Sequence, residues 1–183
     1  SGQTATPLRT FHMPDDQTTA ADDRTAADAD LDREFDLSHA AVLVVDDHEQ
    51  NLELLQAYLE ELGCAVRTAT DGLHALRSVE QSPPDLILLD VMMPRMSGFQ
   101  LCEKLKEAPD TRDIPIVMVT ALSEVGDVER AVEAGADDFL TKPVHRVELC
   151  TRVKSLLRVR LLKKQLERTL AEVQRLRADD ADA

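Results

Sequence analysis

The strongest constraint on this chain is a rhythm. AVLVVD (41–46), DLILLD (85–90) and IPIVMVTA (114–121) are near-continuous apolar runs, and stretches of helical period fall between them. Leu52, Leu55, Leu59 and Leu62 share one face of a helix over 51–63 that Gly63 stops. AVRTA (65–69) reads as a short strand, followed by a helix over 72–81, and Pro83-Pro84 breaks the chain before the third strand. Ser97 with Gln100 forms a capping-box pattern for a helix over 98–107. A helix over about 124–134 stops at Gly135, DDFL (137–140) is a fifth strand, and a last helix starts near Val144. Strands that are apolar throughout, not alternately, are buried on both faces. Strand and helix alternating five times therefore predict an α/β fold, a doubly wound parallel sheet covered by helices on each side.

In such sheets ligands bind beyond the carboxyl ends of the strands. The residues at those ends carry chemistry here: Asp46 and Asp47 after the first strand, Asp90 after the third, Thr120 after the fourth, and Lys142-Pro143 after the fifth. Aspartates can cap helices and lysines line surfaces, but polar residues at four strand ends together point to a site. Three converging carboxylates repel one another unless a cation joins them. Hard oxygen ligands with an open coordination shell suit Mg²⁺. Asp90 could then act as a nucleophile toward phosphorus, with Lys142 stabilising phosphoryl oxygens and Thr120 hydrogen-bonding one of them.

VVDDHEQN (44–51), LLDVMMPRMSG (88–98), VMVTA (117–121) and GADDFLTKP (135–143) together resemble the receiver domain of two-component response regulators. The resemblance covers about residues 40–158, and extends to receivers of the class that precedes cyclic-di-GMP enzymes as well as to stand-alone ones. It implies a flavodoxin-like five-stranded sheet of order 2-1-3-4-5 with an extended C-terminal helix. It further implies that Asp90 accepts a phosphoryl group from a histidine kinase or histidine phosphotransfer protein. Asp47 resembles a direct Mg²⁺ ligand, Asp46 a ligand acting through metal-bound water, and the backbone carbonyl of Met92 a further ligand. Lys142 resembles the phosphate-binding lysine, followed by a cis bond to Pro143, and Thr120 and Phe139 the pair that rearranges on phosphorylation. Met92 and Leu122, two residues after Asp90 and Thr120, flank the path of an attacking water in this fold. Their bulk predicts slow loss of the phosphoryl group. His48 reads as a solvated residue at a helix start, and Met92, Met93 and Met96 as packing of the loop that Pro94 and Gly98 shape.

Outside this region, residues 1–39 read as a disordered acidic leader, with nine acids against three arginines. Residues 159–177 read as a helical, coiled-coil extension: Val159, Leu162, Leu166, Thr169, Val173 and Leu176 follow three–four spacing. An acidic tail, 178–183, closes the sequence. Nine basic residues against two acidic ones between 152 and 177 make the extension positive. Yet it lacks aromatic or helix-turn-helix patterning, and the net charge of the chain is −14, so nucleic acid is not the expected partner. A homodimer through this helix or a receiver face is expected. Three cysteines without C-x-x-C spacing suggest neither disulfide framework nor zinc site. No apolar run approaches the roughly 18 residues that span a bilayer, and no signal-peptide pattern opens the sequence, so the expected setting is cytoplasmic.

The expected role is a phosphoacceptor switch, not an enzyme beyond its own phosphotransfer and dephosphorylation. No cyclase, phosphodiesterase or DNA-binding motif follows residue 177. A haloacid-dehalogenase-like phosphatase needs a second acid two residues after the nucleophile, where Met92 stands here, and no G-x-G-x-x-G marks a dinucleotide site. The alternative is a phosphorylation-independent coiled-coil adaptor.

Overall fold

A computed structural model describes residues 36–121 and 125–181. Five strands, β1 (Ala41–Val45), β2 (Ala65–Ala69), β3 (Leu86–Asp90), β4 (Ile116–Thr120) and β5 (Asp138–Thr141), form one sheet. Its order is β2-β1-β3-β4-β5 and every neighbouring pair is parallel, as expected. The intervening helices are α1 (Glu49–Glu60), α2 (Gly72–Gln81), α3 (Gly98–Glu107) and α4 (Val125–Glu133), with α5 (Arg146–Ala181) last.

The three inner strands explain why the apolar runs do not alternate. Every residue of β3 and β4 is buried, as is Val42–Val45 of β1. Side chains pointing to either face meet helices, so each position must be apolar or carry a stated partner. The fully buried side chains include Leu43, Leu86, Ile87, Leu88, Leu89, Ile116 and Met118. Edge strand β2 carries Arg67 and Thr68 half-buried, which suits a strand paired on one side only.

Helix boundaries follow local chemistry. Asp71 caps α2 by accepting a hydrogen bond from His74 N–H (2.8 Å). The capping box at α3 is formed: Ser97 Oγ accepts from Gln100 N–H (3.3 Å) and Gln100 Oε1 accepts from Ser97 N–H (3.1 Å). Gly63 and Gly135 end their helical stretches at φ +77° and +83°, a region that glycine adopts without penalty.

Leu37 is buried and Ala40 N–H donates to its carbonyl (2.9 Å), so a turn inside the stretch read as leader packs on the domain. Residues 1–35 of that stretch lie outside the described residues. At the other end α5 continues without a break through Ala181, into the stretch read as an acidic tail. Among the described residues no helix is long and apolar enough to cross a membrane.

Candidate functional site at the carboxyl edge of the sheet

β1, β3, β4 and β5 all run the same way, so their carboxyl ends open on one edge. That edge collects Asp46, Asp90, Thr120 and Lys142. The parallel register brings Val45 level with Leu89 and Thr120 level with Thr141. Asp46 and Asp90 therefore leave adjacent strands at the same height, one residue later in each.

Lys142 joins the two acids. Its ammonium donates to Asp90 Oδ1 at 2.7 Å and to Asp46 Oδ2 at 2.9 Å. The chain is led there by the Lys142 N–H, which donates to the Thr120 carbonyl (2.7 Å), and by the Lys142-Pro143 peptide, which is cis. Asp46 and Asp90 are buried, at 1% and 3% exposure, whereas the lysine side chain keeps 25%. A buried carboxylate pair is tolerable only when charge and hydrogen bonds offset desolvation.

For Asp46 the offset is complete. Its Oδ1 accepts from His48 N–H (2.8 Å) and Asn51 Nδ2 (3.1 Å), and its Oδ2 from Asn51 Nδ2 (2.9 Å) and Lys142. For Asp90 it is not. Desolvation raises its carboxyl above the ordinary value; Lys142 pulls it down by hydrogen bond and charge, while Asp46 and Asp47 push it up again. Burial alone would lower the Lys142 ammonium, but its bonds to Asp90 and Asp46 outweigh this and hold it above the usual lysine value.

Asp47 stands beside this pair, and its Oδ1 is buried with no hydrogen bond. His48 Nδ1 lies 3.0 Å from that oxygen but outside hydrogen-bonding geometry, on a side chain 69% exposed. Asp46, Asp47 and His48 offer ligand atoms all within 4.8 Å of one another. A buried carboxylate oxygen without a hydrogen bond, beside two further acids whose charge one ammonium does not balance, offers the oxygen donors that a hard divalent cation takes. The residues present fit Mg²⁺. Met92 follows directly in the turn after β3, its side chain largely exposed.

Thr120 is buried at the end of β4. Phe139 is half-buried on β5, level with Met118, and packs against the core. Leu122 lies outside the described residues, so only Met92 of the two expected flanking side chains is placed. One contributor was not assigned from sequence: Asn51, which fixes both oxygens of Asp46. Gly98, read from sequence as shaping the loop, lies against the Asp90 backbone. A Cβ on Gly98 would stand 2.2 Å from the Asp90 carbonyl oxygen. Both residues lay within the recognised segments, but their roles depend on how α1 and α3 return to the strand ends.

A parallel 2-1-3-4-5 sheet with an acid cluster and a lysine at its carboxyl edge defines the class of flavodoxin-like receiver domains. The family model for the response regulator receiver domain matches residues 42–154, and the chain belongs to that family. It is 49% identical over 137 residues to the response regulator PleD of Caulobacter vibrioides, covering 75% of this chain and 30% of PleD. It is 45% identical over 117 residues to the Bacillus subtilis alkaline phosphatase synthesis transcriptional regulatory protein PhoP, covering 64% of this chain and 48% of PhoP. Among solved structures, the signal receiver domain of a signal transduction histidine kinase from Syntrophus aciditrophicus superposes with TM-score 0.61 at 44% identity. That match covers 64% of this chain and 89% of the other. The chain thus spans less than half of these two regulators, and the matched family segment contains the receiver domain alone.

Proposed function

We propose that this chain is a phosphorylation switch in which Asp90 accepts a phosphoryl group from a phosphohistidine on a histidine kinase or phosphotransfer protein. An Asp90 carboxylate oxygen forms the O–P bond as the N–P bond to imidazole breaks, and the imidazole leaves with a proton. Asp47, Asp90, the Met92 carbonyl and, through water, Asp46 would hold Mg²⁺, which supplies positive charge opposite the phosphoryl oxygens. Lys142 holds the acceptor carboxylate in place before transfer and stays beside the acyl phosphate afterwards. Asn51 and the His48 N–H keep Asp46 fixed, so the cluster's shape is set before phosphate arrives. Thr120 offers a hydroxyl to a phosphoryl oxygen, and its movement with Phe139 would change the surface near β4 and β5. That surface controls dimerisation or partner binding, in a cytoplasmic setting.

The observation that carries this reading is the Lys142 ammonium seated between Asp90 and Asp46 at the carboxyl edge of the sheet. The test is incubation with Mg²⁺ and a small acyl-phosphate donor, followed by intact-mass analysis. One phosphoryl group is expected on the wild-type chain, labile to hydroxylamine, and none on Asp90→Asn. Equal labelling of the variant, or none of the wild type with or without Mg²⁺, would overturn the reading.

A further inference from the structure

The turn that follows Asp90 carries a strained backbone. Among the described residues Arg95 alone of the non-glycines has positive φ, at +69°, a left-handed region that a residue with a Cβ rarely enters. Met96 N–H donates to the Pro94 carbonyl (2.8 Å), which closes a γ-turn with Arg95 at its centre. A γ-turn of positive φ is the rare, strained kind. Glycine would adopt it without penalty, so an arginine there needs something to hold it.

The start of α2 supplies the hold. The Arg95 guanidinium donates to Asp71 Oδ2 (3.0 Å), while Asp71 Oδ1 takes the capping bond from His74 N–H. The next residue on each side adds a second contact. Met96 packs on Gly72, where a Cβ would stand 2.7 Å from the Met96 sulfur, so the glycine leaves room for it. The base of the turn is tied to the sheet. Val91 N–H donates to the Val119 carbonyl (3.1 Å), the Val91 carbonyl accepts from Gly98 N–H (2.9 Å), and Met93 is buried. Met92 is thus carried on a loop fixed to the sheet at its base and to α2 at its apex.

We infer that Asp71 and Arg95 form a positioning clamp, which selects the turn conformation that offers the Met92 carbonyl to the metal and so sets the affinity of the acid cluster for Mg²⁺. Neither residue belongs to the cluster; both act through the turn. Exposed ion pairs are weak, and the Arg95 side chain is 69% exposed, so the pair does not hold up the fold. It acts where a small bias is enough, on a strained turn that gains other conformations once the guanidinium is released. Its effect is graded and falls with salt, because mobile ions screen the charges.

This inference rests on the proposed function for the role of the Met92 carbonyl, and its test separates the two. Isothermal titration of the full chain with Mg²⁺ at low salt is expected to show binding about threefold weaker in Arg95→Asn and in Asp71→Asn, with no further loss in the double variant. Asparagine tolerates the left-handed backbone at position 95 and caps a helix at position 71, so both variants retain the fold. The Mg²⁺ concentration that gives half-maximal phosphorylation of Asp90 by a small acyl phosphate should rise in step, with the lost rate recovered as Mg²⁺ is raised. Sodium chloride at about 0.5 M should erase the differences. Arg95→Lys, which keeps the charge, should bind Mg²⁺ more tightly than Arg95→Asn. Without metal, hydrogen exchange at the Met96 and Gly98 amides should quicken in both asparagine variants. Wild-type Mg²⁺ affinity or unchanged exchange in either variant, losses that add in the double variant, or a wild-type chain that binds no Mg²⁺ would overturn the inference. A chain that shows these differences in Mg²⁺ binding but takes no phosphate on Asp90 would overturn the switch reading alone.

Discussion

A single ammonium, Lys142, is set against two buried carboxylates while a third acid, Asp47, keeps a buried oxygen without a hydrogen bond. Negative charge is therefore in excess at the site whenever no cation is bound. The Asp90 carboxyl is raised chiefly by desolvation, which its bond to Lys142 only partly offsets, and the charges of Asp46 and Asp47 add to the rise. A group whose folded pKa lies above its unfolded value contributes most below the unfolded value, here 3.8, and the contribution is lost as pH rises. At neutral pH, Asp90 charge thus works against the metal-free fold. Asp90→Asn is expected to raise the urea midpoint of chelator-treated protein at pH 7. The gain should shrink as pH falls into the carboxylate range, and Mg²⁺ should stabilise wild type more than the variant. Gly98 sets a steric limit at the same place. Gly98→Ala pushes a methyl against the Asp90 carbonyl, which is backbone and cannot swing away. Overpacking of this kind costs about 1–3 kcal/mol. Urea unfolding of the variant should show that loss, together with slower phosphorylation, because relief of the clash displaces the acceptor strand.

Elements were legible in the sequence to the extent that their boundaries are local. β2, α2 and α3 occupy the stretches that their patterns predict, because the Asp71 cap, the Ser97 capping box and the alternation of apolar face and breaker are all written within a few residues. β4 begins at Ile116, not 114, because Pro115 has no N–H to give a ladder and contributes its carbonyl to Ile87 N–H instead. The strand-end residues of the site could be seen because a parallel sheet makes one edge special. Asn51 could not, since nothing local distinguishes an asparagine in α1 that folds back on Asp46 from one facing water. The attachment of α5 through Lys163 to Asp113 and Lys164 to Asp85 was equally hidden, because the partners lie 50 and 79 residues away. Lys164 is the stronger anchor. Asp85 is buried, so Lys164→Met leaves a desolvated carboxylate with the Ala41 N–H and no cation. A buried acceptor group that loses its partner costs roughly 1–3 kcal/mol. Hydrogen exchange should quicken over about residues 160–170, while amides of β3 and β4, opened only by global unfolding, follow the smaller global loss.

At the scale of the whole molecule, the buried core and the exposed apolar stripe meet at a sharp boundary in α5. Leu157 is fully buried, Val159 is 65% exposed, and the large apolar side chains on the outer face remain exposed from there to Leu176. A helix of 36 residues is about 54 Å long at 1.5 Å per residue, so most of its second half extends past the domain that nucleates it. The buried core thus ends at Leu157; beyond it the extension is joined to the domain by continuity of the helix, by the half-buried Arg160 and Leu161, and by the two lysine contacts. Ending the chain after residue 158 should remove the exposed apolar stripe and those two contacts and none of the fully buried core. The expected result is a domain that unfolds cooperatively with stability reduced by about 1–3 kcal/mol, the cost of the unpaired Asp85. Phosphorylation of Asp90 should persist, because every side chain at the acid cluster belongs to residues 46–142. Urea unfolding and intact-mass analysis of the shortened chain measure the two quantities separately. Loss of cooperative unfolding would show that the extension is part of the folding unit, and that the lysine contacts hold the domain together as well as steering the helix.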